Sequence, residues 1–122
     1  MKNKIISYSS NKDSGVCRMT IQNKYGKFSG WAYCNDEDME NFSSHAGLRY
    51  AENRAAADYA KLRLKQEKIK LKTIQNLVKD FEYNNTPVPR EVKIKLRDYN
   101  QSISDWENLY NYLLDSVKKQ DE

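Results

Sequence analysis

The chain has 122 residues, 39% of them hydrophobic, 31% charged and 11% aromatic, with a net charge of +4. That is one domain's worth of material, too aromatic for a disordered tail and too polar for a membrane protein. No apolar run approaches the ~20 residues a spanning helix needs, and the start "MKNKIISYSS" lacks the apolar region of a secretory leader, so a cytoplasmic home is expected.

The first 47 residues hold all four glycines. Three short segments there, "KIISYS", "VCRMTIQN" and "KFSGWAYC", are rich in β-branched or aromatic residues and are separated by "NKDSG" and "KYG". This grammar predicts a three-stranded antiparallel meander. With Tyr25 and Gly26 in the tight turn, Cys17, Met19 and Ile21 face Cys34, Ala32 and Gly30 on the core side, with Phe28 just beyond. Arg18, Thr20 and Gln22 then share the other face with Tyr33, Trp31 and Ser29. Such an open aromatic face accepts helices or another subunit.

After the acidic bridge "NDEDMENF", Ser43 or Ser44 caps a helix that runs to about Tyr83. Ala60, Leu64, Leu71, Ile74, Val78 and Phe81 form its main stripe, Glu67 fills the skipped place, and Tyr59, Leu62 and Ile69 form a second stripe. Past "NNTPVPRE", with Pro89 suited to a first helical turn, Val92, Leu96, Tyr99, Ile103, Trp106, Tyr110, Leu113 and Val117 alternate steps of four and three, which is a heptad seam. The predicted fold is therefore α+β: a small N-terminal antiparallel β-meander followed by two long antiparallel α-helices, in a single domain spanning 1–122. The meander and acidic bridge occupy 1–43, the first helix 44–84 and the second 88–119. The helices, about 60 and 45 Å long at 1.5 Å per residue, display more apolar surface than one hairpin buries, so a homo-oligomer, at least a dimer, is expected.

The residues offer little for catalysis. His45, the single histidine, would need Cys17 or Cys34 to form a thiol–imidazole dyad, and nothing local resembles a nucleophile signature. A zinc site would need ligands that the spacing does not group. The run Asp36, Glu37, Asp38, Glu40 lacks a calcium-loop pattern and supplies negative charge to a helix start. No glycine-rich phosphate loop is present. A non-enzyme without cofactor or metal is expected.

The charge is uneven. Residues 48–85 carry nine cations and five anions, whereas the segments on either side are nearly balanced. Within "KLRLKQEKIKLK" (61–72), six cations oppose the single Glu67. Three readings stand: a solvated helix face, a nucleic-acid grip, which the absence of interleaved aromatics within 61–72 makes the weakest, and capture of a compact phosphorylated ligand. For the last, Phe81, Tyr83, Asn84, Asn85, Arg90 and Arg97 collect near the hairpin's end, and aromatic planes, amides and guanidinium forks are the groups that stack a purine and hold a pyrophosphate. Each also has an ordinary role, Phe81 in the core, Asn84 and Asn85 in the turn, and Arg97 in a surface ion pair.

A meander ending in "GWAYCNDEDMENF", then "GLRYAENRAAADYAKLR", then two long helices resembles the small phage proteins that counter the Thoeris defence system by sequestering its cyclic ADP-ribose signal. The matching feature is a strand ending in Cys34, an acidic turn, and a helix opening with Gly47, Ala51, Arg54 and Ala55. The order of elements matches over nearly the whole chain, the motif itself over about residues 30–63. The resemblance implies a non-enzymatic sponge in the cytoplasm of the infected host. Its dimers build toward hexamers that hold glycocyclic ADP-ribose between subunits and release it unchanged, with separate sites for cyclic oligonucleotides. It also implies that Arg54 reaches the ligand from the first helix, while Phe81, Asn84, Arg97 and Asp98 supply stacking, amide, phosphate and ribose contacts. The alternative is a helical phage inhibitor that binds a nucleoprotein complex or nucleic acid through its basic hairpin.

Overall fold

The structure, a computed structural model, describes residues 3–34 and 43–121, with side chains in the last helix described to residue 116. The acidic run Asp36, Glu37, Asp38 and Glu40 and the seam side chain of Val117 lie outside the described residues. Three strands, β1 (Lys4–Asn11), β2 (Val16–Asn23) and β3 (Gly26–Tyr33), form one antiparallel sheet in the order β1-β2-β3, followed by helices α1 (Ser44–Tyr83) and α2 (Arg90–Asp121). The predicted α+β class and meander are as expected. The chain divides into two compact units, Met1–Tyr59 with Asn111–Glu122, and Ala60–Tyr110.

In the first unit the β2–β3 register differs from the expected one by two residues. Cys17, Met19 and Ile21 pair with Ala32, Gly30 and Phe28, because the turn residues are Lys24 and Tyr25. The cause is local: Asn23 Oδ1 accepts the Tyr25 N–H at 2.8 Å, and Gly26, at φ 135°, pairs directly with Asn23. A side chain with a bulky Cβ is strained at that φ, which is why glycine closes the turn. A slip of two preserves the alternation of faces, so the predicted core side survives the shifted register. Cys34 is left past the paired residues, donating its N–H to the Gly15 carbonyl at 2.9 Å.

The core of this unit is Cys17, Met19, Ile21 and Ala32 of the sheet against Ala51 and Ala55 of α1, with Phe28, Leu48, Tyr50 and Ala56 at its margin. Small residues set the helix distance. A methyl group placed on Gly30 would meet the Ala51 carbonyl oxygen, and 2.5 Å away the Ala55 amide nitrogen, so backbone packs on backbone there. A methyl on Gly47 would strike Cys17 Sγ. Arg54 donates to the Trp31 carbonyl at 2.5 Å. On the opposite face Arg18 stacks over Trp31, 5.6 Å from the ring centre, and Thr20 and Ser29 share a 2.8 Å hydrogen bond. Ser43 is the N-cap of α1, its Oγ accepting the Ala46 N–H at 3.3 Å.

Strand β1 carries a bulge between Ile5 and Ser7. The extra residue, Ile6, lets Ile5 pair with Ile21 and Tyr8 with Met19, which puts both Ile5 and Tyr8 on the α1 side of the sheet.

In the second unit, α1 and α2 run antiparallel, with Arg63 against Trp106 and Lys68 against Glu107. The main α1 stripe and the α2 seam are visible as burial, whereas the second α1 stripe breaks at Ile69, which is 59% exposed. Leu64, Leu71, Ile74, Val78 and Phe81 on α1 and Val92, Leu96, Tyr99, Ile103, Trp106 and Tyr110 on α2 are half-buried, among neighbours that are mostly exposed. Helix α1 ends in a Schellman motif: Thr86 N–H reaches the Phe81 carbonyl at 2.9 Å and Asn85 N–H the Glu82 carbonyl at 3.1 Å, with Asn85 in the left-handed region at φ 53°. Asn85→Gly should therefore leave urea stability unchanged or slightly raised, while Asn85→Val should lower it by about 1–2 kcal/mol, the cost of a β-branched residue at that φ.

Candidate functional site

The basic stretch 61–72 sorts its six cations onto two sides of α1. Arg63 and Lys70 turn to Glu67: the Arg63 Nη2 to Glu67 Oε1 distance is 3.1 Å and the Lys70 Nζ distance 3.5 Å. Arg63 also donates to Gln66 at 2.8 Å and lies over the Trp106 ring, 5.3 Å from its centre. Both members of this pair are buried, Arg63 at 9% and Glu67 at 5% exposure. The apparent excess of charge is thus partly spent inside the second unit.

The other four, Lys61, Lys65, Lys68 and Lys72, recur at steps of four, three and four and share one flank of the helix. They wall a groove of about 540 Å³ whose floor is Leu64, Ile69 and the ring of Tyr110 from α2. Lys68 is partly offset by Glu107 at 3.7 Å, and both side chains are about half exposed, so this pair yields readily to a stronger anion. Ammonium groups over an apolar floor with one aromatic ring suit a ligand carrying both phosphate and a flat apolar ring.

None of the residues predicted from sequence lines this groove. Phe81 is half-buried in the α1 stripe, and Tyr83 is 88% exposed at the helix end. Asn84 and Asn85 lie in the turn, where their backbones close the helix. Arg90 opens α2 and is exposed, and Arg97 forms an exposed ion pair with its neighbour Asp98 at 3.4 Å. Phe81, Tyr83, Asn84, Asn85 and Arg90 therefore gather at the hairpin end, while Arg97 and Asp98 sit further along α2. Arg54 belongs to the first unit, bonded to the Trp31 carbonyl. What sequence reasoning missed was Tyr110 as a groove residue; the signal was the lysine spacing, read together with which α2 residue an antiparallel hairpin brings opposite Leu64.

Among the described residues no group of three or more His, Cys, Asp or Glu side chains is placed to hold a metal ion, and no helix is long and apolar enough to cross a membrane. Cys17 is a buried free thiol, 3.4 Å from Ser10 Oγ.

The fold and site together define a small α+β protein, a meander with a long helical hairpin carrying a lysine-walled groove. No family model matches the chain, and no curated protein or solved structure matches it.

Proposed function

We propose that this protein is a binding protein, not an enzyme, that holds a cyclic ADP-ribose-type signal and withdraws it from solution, acting in the cytoplasm of a phage-infected host. The observation that carries this reading is the groove of Lys61, Lys65, Lys68 and Lys72 over Leu64, Ile69 and Tyr110. A ligand with two phosphates, a purine and riboses would place phosphate oxygens among the ammonium groups and the base on the tyrosine, each charge-assisted bond contributing on the order of 1–3 kcal/mol. The resemblance in element order to the anti-Thoeris sponges gives the ligand class. Exposed Ile69, Leu77, Ile94 and Leu109 on the second unit support a homo-oligomer, which would close the open side of the groove. Arg54, Phe81, Asn84, Arg97 and Asp98 stay candidates for contacts supplied by a neighbouring copy.

The experiment is a thermal-shift and calorimetric titration with cyclic ADP-ribose isomers, followed by heat release and chromatography of the ligand. Ligand at 100 times its dissociation constant should add about 2.7 kcal/mol of stability, and the released molecule should be unaltered. Lys65→Glu with Lys68→Glu should weaken binding at least about a hundredfold, the loss of two charge-assisted contacts. Absence of a shift with every isomer would overturn the reading. If Arg97→Ala and Phe81→Ala abolish binding while the lysine variant retains it, the ligand sits at the hairpin end instead.

The lysine stripe, about 17 Å long from Lys61 to Lys72 at 1.5 Å per residue, also favours a second reading, a nucleic-acid contact. Duplex or single-strand binding that falls steeply with salt would mark that case.

A further inference from the structure

The first unit contains a second cavity, of about 390 Å³, that the lysine groove does not involve. Residues 45–53 of α1 and Tyr112 and Ser116 of α2 form it. His45, Arg49 and Asn53 recur every four residues and so lie on one face of α1; Tyr50 stands beside them, and the Tyr112 ring faces them from the second helix. Its lining divides by chemistry. Arg49 and His45 bring a guanidinium and an imidazole one helical turn apart, and among the described residues no lining side chain is acidic. Among the described residues Arg49 makes no ion pair. Asn53 and Ser116 add an amide and a hydroxyl, and Ser116 Oγ already donates to the Tyr112 carbonyl at 3.0 Å, which fixes its position. Tyr50 is half-buried and Tyr112 is 68% exposed, a large ring left in water at the mouth of the cavity.

We infer that this cavity is a binding site for a small aromatic anion, its acid group held by Arg49 and His45 and its ring lodged between Tyr50 and Tyr112. A planar guanidinium forms paired hydrogen bonds to carboxylate or phosphate oxygens. Offset stacking on a tyrosine gives an aromatic ring a partner that water does not supply. The volume lies at the small end of ligand pockets, which matches a molecule of one ring and one acid group, not a dinucleotide. Glu52 lies on the other side of the His45–Arg49 ridge, lining an apolar cleft with Ile5, Tyr8, Met19 and Leu48, and so does not oppose an anion in the polar cavity. The inference is independent of the lysine groove.

His45 is the sole histidine, so its two ring C–H protons give signals that no other histidine overlaps; the ring also borders the apolar cleft of Glu52, and Tyr112→Ala, at a residue that lines only the polar cavity, tells the two apart. The full chain is titrated with phenyl phosphate, and the His45 signal is followed by NMR. The expected result is a saturable shift, at least about tenfold weaker with inorganic phosphate or phenol alone, since each keeps only half of the contacts. Arg49→Gln and Tyr112→Ala, both at solvent-exposed positions, should each weaken phenyl phosphate by a similar factor, while the Lys65→Glu, Lys68→Glu variant binds it as the native chain does. No saturable shift up to millimolar phenyl phosphate, equal binding by Arg49→Gln, or loss in the lysine variant would overturn the inference.

Discussion

Gly30→Ala should destabilise the protein by about 3 kcal/mol or more, at the upper end of what overpacking a core costs. The usual expectation has the opposite sign, because glycine in a strand interior is weak and alanine there generally gains a few tenths to 1 kcal/mol. Here steric contact decides. The added carbon would meet the Ala51 carbonyl oxygen and the Ala55 amide nitrogen, both backbone atoms of α1, and neither can rotate away. Relief requires moving the helix off the sheet, which exposes Cys17, Met19 and Ala51, all at 6% or less. Gly47→Ala is the instructive comparison: its obstacle is a side chain, Cys17 Sγ. The cost should be smaller, and Cys17→Ala should relieve part of it. Urea unfolding with an unchanged slope reads all three. A Gly30→Ala midpoint at or above that of the native chain would show that α1 does not pack on β3 as described.

The second large effect concerns Glu67. The residue is 5% exposed, and its carboxylate is held by Arg63 and Lys70. Removing it with Glu67→Ala takes from Arg63, a residue 9% exposed, the carboxylate it pairs with, for which about 3–5 kcal/mol is expected. Replacing both, Arg63→Met with Glu67→Leu, removes the stranded charge and should restore native stability or exceed it by about 1–4 kcal/mol. The measurement is a double-mutant cycle in urea. Additive losses from the two single changes would mean that the pair is not coupled, and the burial argument would fail. Trp106, over Arg63, should report the change as altered fluorescence in Glu67→Ala.

The contrast between the two helices explains what was legible in the sequence. Every α2 seam position is apolar, so a period of four and three is readable without knowing its partner. On α1 the stripe passes through Glu67, and its place there was readable because Leu64 and Leu71 bracket it seven residues apart. Arg63 was not legible as a buried group, since its burial depends on Trp106 arriving from α2. The same holds for the groove: lysine spacing is local, but Tyr110 becomes part of the site only through the packing of the hairpin. The meander's faces were readable from alternation, while its register depended on one side-chain hydrogen bond from Asn23 that strand propensity does not encode. Asn84 and Asn85 show the converse problem. Amide side chains near a basic helix invite a ligand role, yet a left-handed residue after α1 is also what a helix end demands.

The bulge in β1 has an evolutionary consequence. Ile5 and Ser7 oppose Ile21 and Thr20, adjacent residues of β2, so Ile6 is the one residue of the strand that has no partner across the ladder. A lineage that gained or lost a codon at this point would leave Lys4 and Ile5 on their present faces and Tyr8 still opposite Met19. Elsewhere in the sheet the same event would turn every later side chain inside out. The first strand is thus where this sheet can change length and keep its fold.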